Sequence, residues 1–244
     1  MKLDKIYFCE EIRRRRLSEL SLTESFYQAQ SLLVADSKVN DPQFLNLLAI
    51  SNLMLQVIEN TGKDQQLKGI EPAYHNRQHF ADACLALGFF LSDSDKFSAY
   101  EQRLMLLTML AHDYGHRGIS QNLPHQSHEE ETVELIRNTP LRDLPKKDFD
   151  TLCDLIIGTS PSSLTLVNSR HLQSPDNLHH FMQSLINDAD IAASFIDDLT
   201  PSLTRSILIE SGNLSPSGDE VLQGIKFFKE NFHLTTQVAR RLLL

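Results

Sequence analysis

No stretch of this chain approaches the roughly 18 consecutive apolar residues that a membrane-spanning helix needs, so no membrane segment is expected. Cysteine is scarce. Cys9, Cys84 and Cys153 are odd in number and widely spaced, which excludes a disulfide framework and a zinc knuckle and suits a reducing compartment. An excess of positive charge is missing as well. The 23 Lys and Arg stand against 32 Asp and Glu, for a formal net charge of −9, and this argues against a nucleic-acid binder driven by phosphate contacts. A small anionic substrate is not excluded, because a bound metal inverts the field around itself. The opening MKLDKIYFCEEIRRRR holds acids, no long apolar core and no cleavage site, unlike a secretory signal, so a cytoplasmic location is expected. Sustained period-two alternation, the mark of half-buried strands, is also absent, as are internal repeats and low-complexity segments.

What is present reads as helix almost throughout. The 244 residues suffice for a substantial core, and no linker divides them, so the expected fold is all-α: one compact multi-helix domain. Within it, residues 1–62 form an N-terminal helical part, 71–195 a central part and 200–244 the C-terminal helices. The first helix, at 3–20, carries Arg13 to Arg16, which read as a solvated face. A second spans 23–35. Asp41-Pro42 caps a third over 44–58, which Thr61-Gly62 ends, with a polar linker over 62–70. Further helices are expected at 74–91, 97–113, 128–138, 148–158, 174–199, 200–211, 218–231 and from 234. Residues 161–176, rich in Ser, Pro and Asn, read as a surface loop.

Four stretches carry the chemistry. Leu104 to Ala111 is an apolar run ending in His112-Asp113, with His116 one turn later. A helix apolar on every side is buried, and a buried His-Asp pair is costly unless it is paired or binds a metal. Tyr74-His75-Asn76-Arg77-Gln78-His79 places two histidines at i, i+4, on one helix face. Asp188-Ala189-Asp190 lies inside an apolar helical stretch, and spacing does not choose between the two aspartates. His128-Glu129-Glu130-Glu131 is an acidic helix start that complements the helix dipole and is within reach of the same site. A lone histidine on an apolar helix is more often a hydrogen-bonded core residue than a ligand; it is the joint occurrence that points to a centre. Two His and two Asp form a nitrogen–oxygen donor set suited to zinc, iron or manganese. A pair of metals can activate water at neutral pH and clamp a phosphoryl group, and a spare histidine can protonate the leaving oxygen.

His79, His112-Asp113 and Asp190 resemble the H…HD…D signature of the HD-domain metal-dependent phosphohydrolase superfamily. Within it, Tyr74-His75-Asn76 with His79, His112-Asp113-Tyr114-Gly115-His116-Arg117-Gly118 and Ala189-Asp190-Ile191 are similar to class I cyclic-nucleotide phosphodiesterase catalytic domains, over residues 71–195. The resemblance implies an all-helical fold and two divalent ions, zinc or iron at the first site and magnesium or manganese at the second. His79, His112, Asp113 and Asp190 would be the metal ligands, Asp113 bridging both ions. His75 would be the general acid, His116 would hold a water, and Glu130 would assist. The implied substrate is a small-molecule nucleotide, a 3′,5′-cyclic one, hydrolysed to the 5′-monophosphate. Neither nucleic acid nor membrane is an expected partner, and a homodimer is compatible with the chain. The alternatives are an HD-type hydrolase of another nucleotide, such as a nucleoside monophosphate or an alarmone, and a non-catalytic nucleotide or metal sensor. Four features depart from the phosphodiesterase pattern. The 77-residue spacing from Asp113 to Asp190 is shorter than expected for the eukaryotic enzymes. Gly115 stands where the pattern has an acid, Gln121 where it has Asn (with Asn122 next), and no glutamine in an aromatic context follows residue 200. Gln223 and Gln237 are candidates for that last role by type alone.

Overall fold

The computed structural model describes residues 4–18, 21–33, 41–118 and 127–244. Among them are twelve α-helices and no strand: α1 (Lys5–Leu17), α2 (Leu22–Leu32), α3 (Pro42–Leu67), α4 (Arg77–Ser92), α5 (Ala99–Ala111), α6 (His128–Ile136), α7 (Lys146–Ile157), α8 (Leu164–Gln173), α9 (Leu178–Ile191), α10 (Thr200–Glu210), α11 (Gly218–Asn231) and α12 (Gln237–Leu243). The all-α expectation holds. The expected helix limits at 19–20 and 34–35, and Gln121 and Asn122, lie outside the described residues.

Helix α4 is the axis of the fold. Every residue from His79 to Leu91 is buried, and α1, α2, α5 and α9 pack around it. Its small residues allow close approach. A Cβ at Gly88 would lie 2.9 Å from the Ala29 Cα and Cβ on α2. Helix α5 is the second buried rod, with Leu104 to Ala111 all enclosed, as the apolar run predicts. One contiguous core joins Phe8 and Ile12 of α1, Phe26 of α2, Phe89 and Phe90 of α4, Leu185 and Ile186 of α9 and Leu242 of α12. Burying side chains of this size stabilises the fold by about 1.5–3 kcal/mol each. No helix among the described residues is long and apolar enough to cross a membrane.

Four expectations are corrected. Thr61-Gly62 does not end α3, which runs to Leu67 and stops at Lys68 and Gly69, the latter at φ +68°. Gly62 is a packing residue instead: a Cβ there would lie 2.5 Å from Arg77 Cδ. Residues 161–176 are not a plain loop, because α8 occupies 164–173 and buries Val167. The helix expected at 74–91 begins at Arg77, capped by the Asn76 side chain, which accepts from the Gln78 and His79 amides at 2.9 and 3.3 Å. His75 therefore precedes the helix and does not share a helical face with His79. Finally, the arginine run is not a solvated face. Arg15 is fully buried, and it and Arg16 pair with the buried Asp82 of α4. Arg13 pairs with Asp198 at 2.7 Å and Arg14 with Glu11 at 2.7 Å. A buried aspartate on the central helix needs such counter-charge, and α1 delivers it.

Candidate metal centre

Three helix ends converge on one point. The first turn of α4 carries His79, the C-cap of α5 is His112 with Asp113 beyond it, and Asp190 is next to last in α9. His79 Nε2 lies 3.2 Å from Asp113 Oδ2 and 3.0 Å from Asp190 Oδ1. His112 Nε2 lies 2.9 Å and 3.3 Å from the same two oxygens, and the two Nε2 atoms are 3.3 Å apart. A tetrahedral centre with donors at about 2.0–2.1 Å has donor–donor edges of roughly 3.3–3.4 Å, close to the observed spacing. The tautomer fits as well. His112 Nδ1 donates to the Met109 carbonyl at 2.7 Å, an orphan acceptor of the α5 C-terminus, and this leaves Nε2 as a lone pair in the neutral ring. His112 Nε2 and His79 Nε2 thus face two carboxylate oxygens at close range, an arrangement that positive charge must balance.

The electrostatics agree. Burial pushes His79 down, but hydrogen bonds and charge from Asp113 and Asp190 outweigh it and hold the ring up at about 9. His112 is raised well above its ordinary value by the same carboxylates, again against burial. Burial opposes ionisation of Asp113 and Asp190, yet the neighbouring histidines hold both carboxyls well below the usual range. The cluster accepts positive charge either as protons or as a metal ion. His79, His112, Asp113 and Asp190 could hold a metal ion.

The aspartates that spacing left open are separated by the structure. Asp188 faces away from the centre and accepts from the Thr235 amide at 2.8 Å, the Thr236 amide at 2.7 Å and the Thr236 hydroxyl at 2.6 Å, tying the start of α12 to α9. Burial pushes its carboxyl up to about 6, against those donors.

Beside the centre stands a group that sequence reasoning missed. Glu210, the last residue of α10, is buried and accepts from the Tyr74 and His75 amides at 2.8 and 3.0 Å. It also pairs with His75 Nδ1. Despite burial, the His75 contacts bring its carboxyl down to about 2. The ionised carboxylate accepts from Nδ1–H and leaves His75 Nε2 for the cleft. His116 stacks on His75 with ring centroids 3.8 Å apart, and His128 stacks on His116 at 4.1 Å. His116 Nδ1 accepts from the Gly118 amide at 3.0 Å, which puts the proton of the neutral ring on Nε2. Burial first, then His75, lowers His116 to about 4, so it is neutral at physiological pH. Its 3.8 Å approach to Glu210 is therefore not an ion pair.

Glu130 is not in the site. It is exposed and completes a capping box with Ser127, accepting from that amide at 2.9 Å. Its neighbour Glu129 lines the cleft, and burial raises its carboxyl. Glu131 turns outward to Arg117 at 3.1 Å. The departure at Gly115 also has a cause. Its φ is +83°, and a Cβ would lie 2.3 Å from Leu135 Cδ1, so no acid fits there without rearrangement.

Asp113 and Asp190 of the candidate centre line a cleft of about 650 Å³. His75, His116, His128 and Glu129 line it as well, together with the apolar Ile191, Ile207, Leu208, Phe227, Phe228 and Phe232. Gln223 and Gln237 are exposed and do not line it. No protein-family model and no curated protein matches this chain.

Proposed function

We propose that this chain is a metal-dependent phosphoesterase of the HD type, acting as a cyclic-nucleotide phosphodiesterase in the cytoplasm. The observation that carries the reading is the convergence of four potential metal-donor atoms beside the His75–Glu210 pair, with His75, Asp113 and Asp190 lining one cleft. His79, His112, Asp113 and Asp190 would hold the first ion, zinc or iron, and Asp113 would share the second, magnesium or manganese. Bound there, the ions supply a water nucleophile at neutral pH and positive charge for the phosphoryl oxygens.

The chain's own side chains do the rest. Glu210 fixes the ring of His75 through Nδ1 and so keeps Nε2 toward the cleft. As the phosphorus–oxygen bond breaks, His75 Nε2–H gives its proton to the departing 3′ oxygen. The oxygen of water ends on phosphorus, and the product is the 5′-monophosphate. His116, neutral and donating through Nε2, orients a water. Asn76 and the buried Arg15 are positioning residues. Asn76 caps the first turn of α4, and Arg15 donates to the Gln78 carbonyl at 3.0 Å, one residue before His79.

One observation favours a second reading, hydrolysis of another nucleotide at the same centre. Neither candidate glutamine lines the cleft, so no purine-reading amide is present among the described lining residues. Zinc- or manganese-loaded protein assayed on cyclic mononucleotides, nucleoside monophosphates and alarmones separates the readings. Failure on every cyclic nucleotide overturns the first. Turnover that disappears in folded His112→Ala excludes a pure sensor.

A further inference from the structure

The cleft above the metal centre is lined by 22 described residues, and none of them is Lys or Arg. The sequence from Gly118 to Ser127, which joins α5 to α6, contains neither residue type. The cations nearest in sequence to the lining residues are occupied elsewhere. Arg117 is exposed and pairs with Glu131 at 3.1 Å. Arg205 donates to the Pro216 carbonyl at 2.7 Å. Arg77 pairs with Glu71 at 2.8 Å. The exposed Lys226 lies 3.8 Å from Glu230 and the exposed Lys229 3.6 Å from Asp197. The lining adds a carboxylate, Glu129, and the chain as a whole carries −9. Among the described residues, positive potential in the cleft would thus come from a bound ion and the histidines beside it. The lining also holds Ile207, Leu208, Phe227, Phe228 and Phe232, and its serines and threonines, Ser127, Thr159, Ser160, Ser162, Ser194 and Thr204, offer only uncharged hydroxyls.

From this distribution we infer that the site accepts esters carrying a single phosphate group and an uncharged, largely apolar or aromatic remainder, and turns away polyphosphates. One phosphate is neutralised at the metal centre. A second or third has no cationic partner and must be desolvated beside Glu129 in a negatively charged protein. The inference rests on the phosphoesterase reading and narrows it, setting alarmones and nucleoside triphosphates outside the substrate class.

The test uses full-length protein with metal in excess over nucleotide. Turnover is measured on bis(p-nitrophenyl) phosphate, adenosine 3′,5′-cyclic monophosphate, ATP and guanosine tetraphosphate. Melting-temperature shifts with adenosine 5′-monophosphate and ATP give a readout independent of turnover. The expected kcat/KM favours the single-phosphate esters by about 100-fold or more, and AMP raises the melting temperature while ATP does so weakly. Ser162→Arg, at an exposed residue of the rim, should narrow the kcat/KM ratio at least about tenfold by supplying the missing cation. Comparable use of ATP or guanosine tetraphosphate by the unaltered protein overturns the inference and leaves the phosphoesterase reading standing. No turnover of any ester overturns both.

Discussion

The carboxylate of Glu210 holds His75 from three directions: its oxygens receive the His75 amide, the Tyr74 amide and His75 Nδ1, although 135 residues separate the two in sequence. The pair fixes a loop that would otherwise be free to move the ring, and it sets which ring nitrogen faces the cleft. Glu210→Gln keeps the size and an acceptor but removes the charge. It should lower kcat by about 10–100-fold, leave metal content unchanged and shift the alkaline limb of the kcat–pH profile, the limb on which a general acid loses its proton. Glu210→Ala leaves two part-buried amides without an acceptor and should in addition destabilise the protein by about 1–3 kcal/mol in denaturant unfolding. An unaltered pH profile in Glu210→Gln would mean that the pair only anchors the loop.

The candidate metal ligands were legible in the sequence for a physical reason. Ionisable residues inside an apolar run, such as His112-Asp113 after Leu104 to Ala111, are too costly to be there without a use. The same logic could not choose between Asp188 and Asp190, because both sit in one apolar segment and only tertiary contacts with Thr235 and Thr236 distinguish them. Glu210 was invisible because nothing local marks it: it is one acid at the end of an ordinary amphipathic helix. The misread α3 terminus has a similar origin. Thr61-Gly62 carries a stop signal, but Gly62 serves the close approach of Arg77, a contact that no local pattern encodes. The Ser/Pro-rich stretch hid α8, whose buried Val167 is a weak periodic signal.

His112→Ala and Asp190→Asn should each reduce bound divalent metal to well below one ion per chain, measured by elemental analysis of freshly purified protein. Asp188→Asn is the control. It should keep its metal and lose stability instead, because it weakens the acceptor of three hydrogen bonds at the start of α12. Chelation of the unaltered protein should lower the melting temperature, since the ion binds the folded ligand set more tightly than the unfolded chain. Retention of metal by both ligand variants would move the centre elsewhere.

The metal-free protein should have a distinctive pH dependence. The folded pKa of His79, about 9, lies above its ordinary 6.5, so its contribution to stability is fully present below about pH 6.5 and is lost as pH rises through about 9. Glu210 acts in the opposite sense. Its folded value near 2 lies below the ordinary 4.5, so its contribution is present above about 4.5 and is lost as pH falls toward 2. Chelator-treated protein should therefore lose melting temperature between pH 7 and 9.5. Metal-loaded protein should lose less over that interval, because the ion rather than a proton then balances Asp113 and Asp190. Parallel curves for the two forms would show that His79 does not exchange a proton for the ion.

Asp82 offers a test of the fold that leaves every ligand in place. It lies on α4 one turn beyond His79, is buried, and is the shared partner of Arg15 and Arg16. Arg15 also reaches the Gln78 carbonyl at 3.0 Å, so α1 is clamped to the turn that carries His79. Removing one partner of a buried pair strands the other charge, and such losses are about 3–5 kcal/mol. Asp82→Ala should approach that figure in denaturant unfolding. Asp82→Asn, which retains the shape and an acceptor, should cost less. The clamp also ties stability to the centre, because loosening α1 frees the first turn of α4 and the aim of His79. Folded Asp82→Asn protein should accordingly bind zinc more weakly than the unaltered chain in a competition titration with a chromophoric chelator. Equal zinc affinity in the two proteins would confine the role of Asp82 to holding α1 on α4.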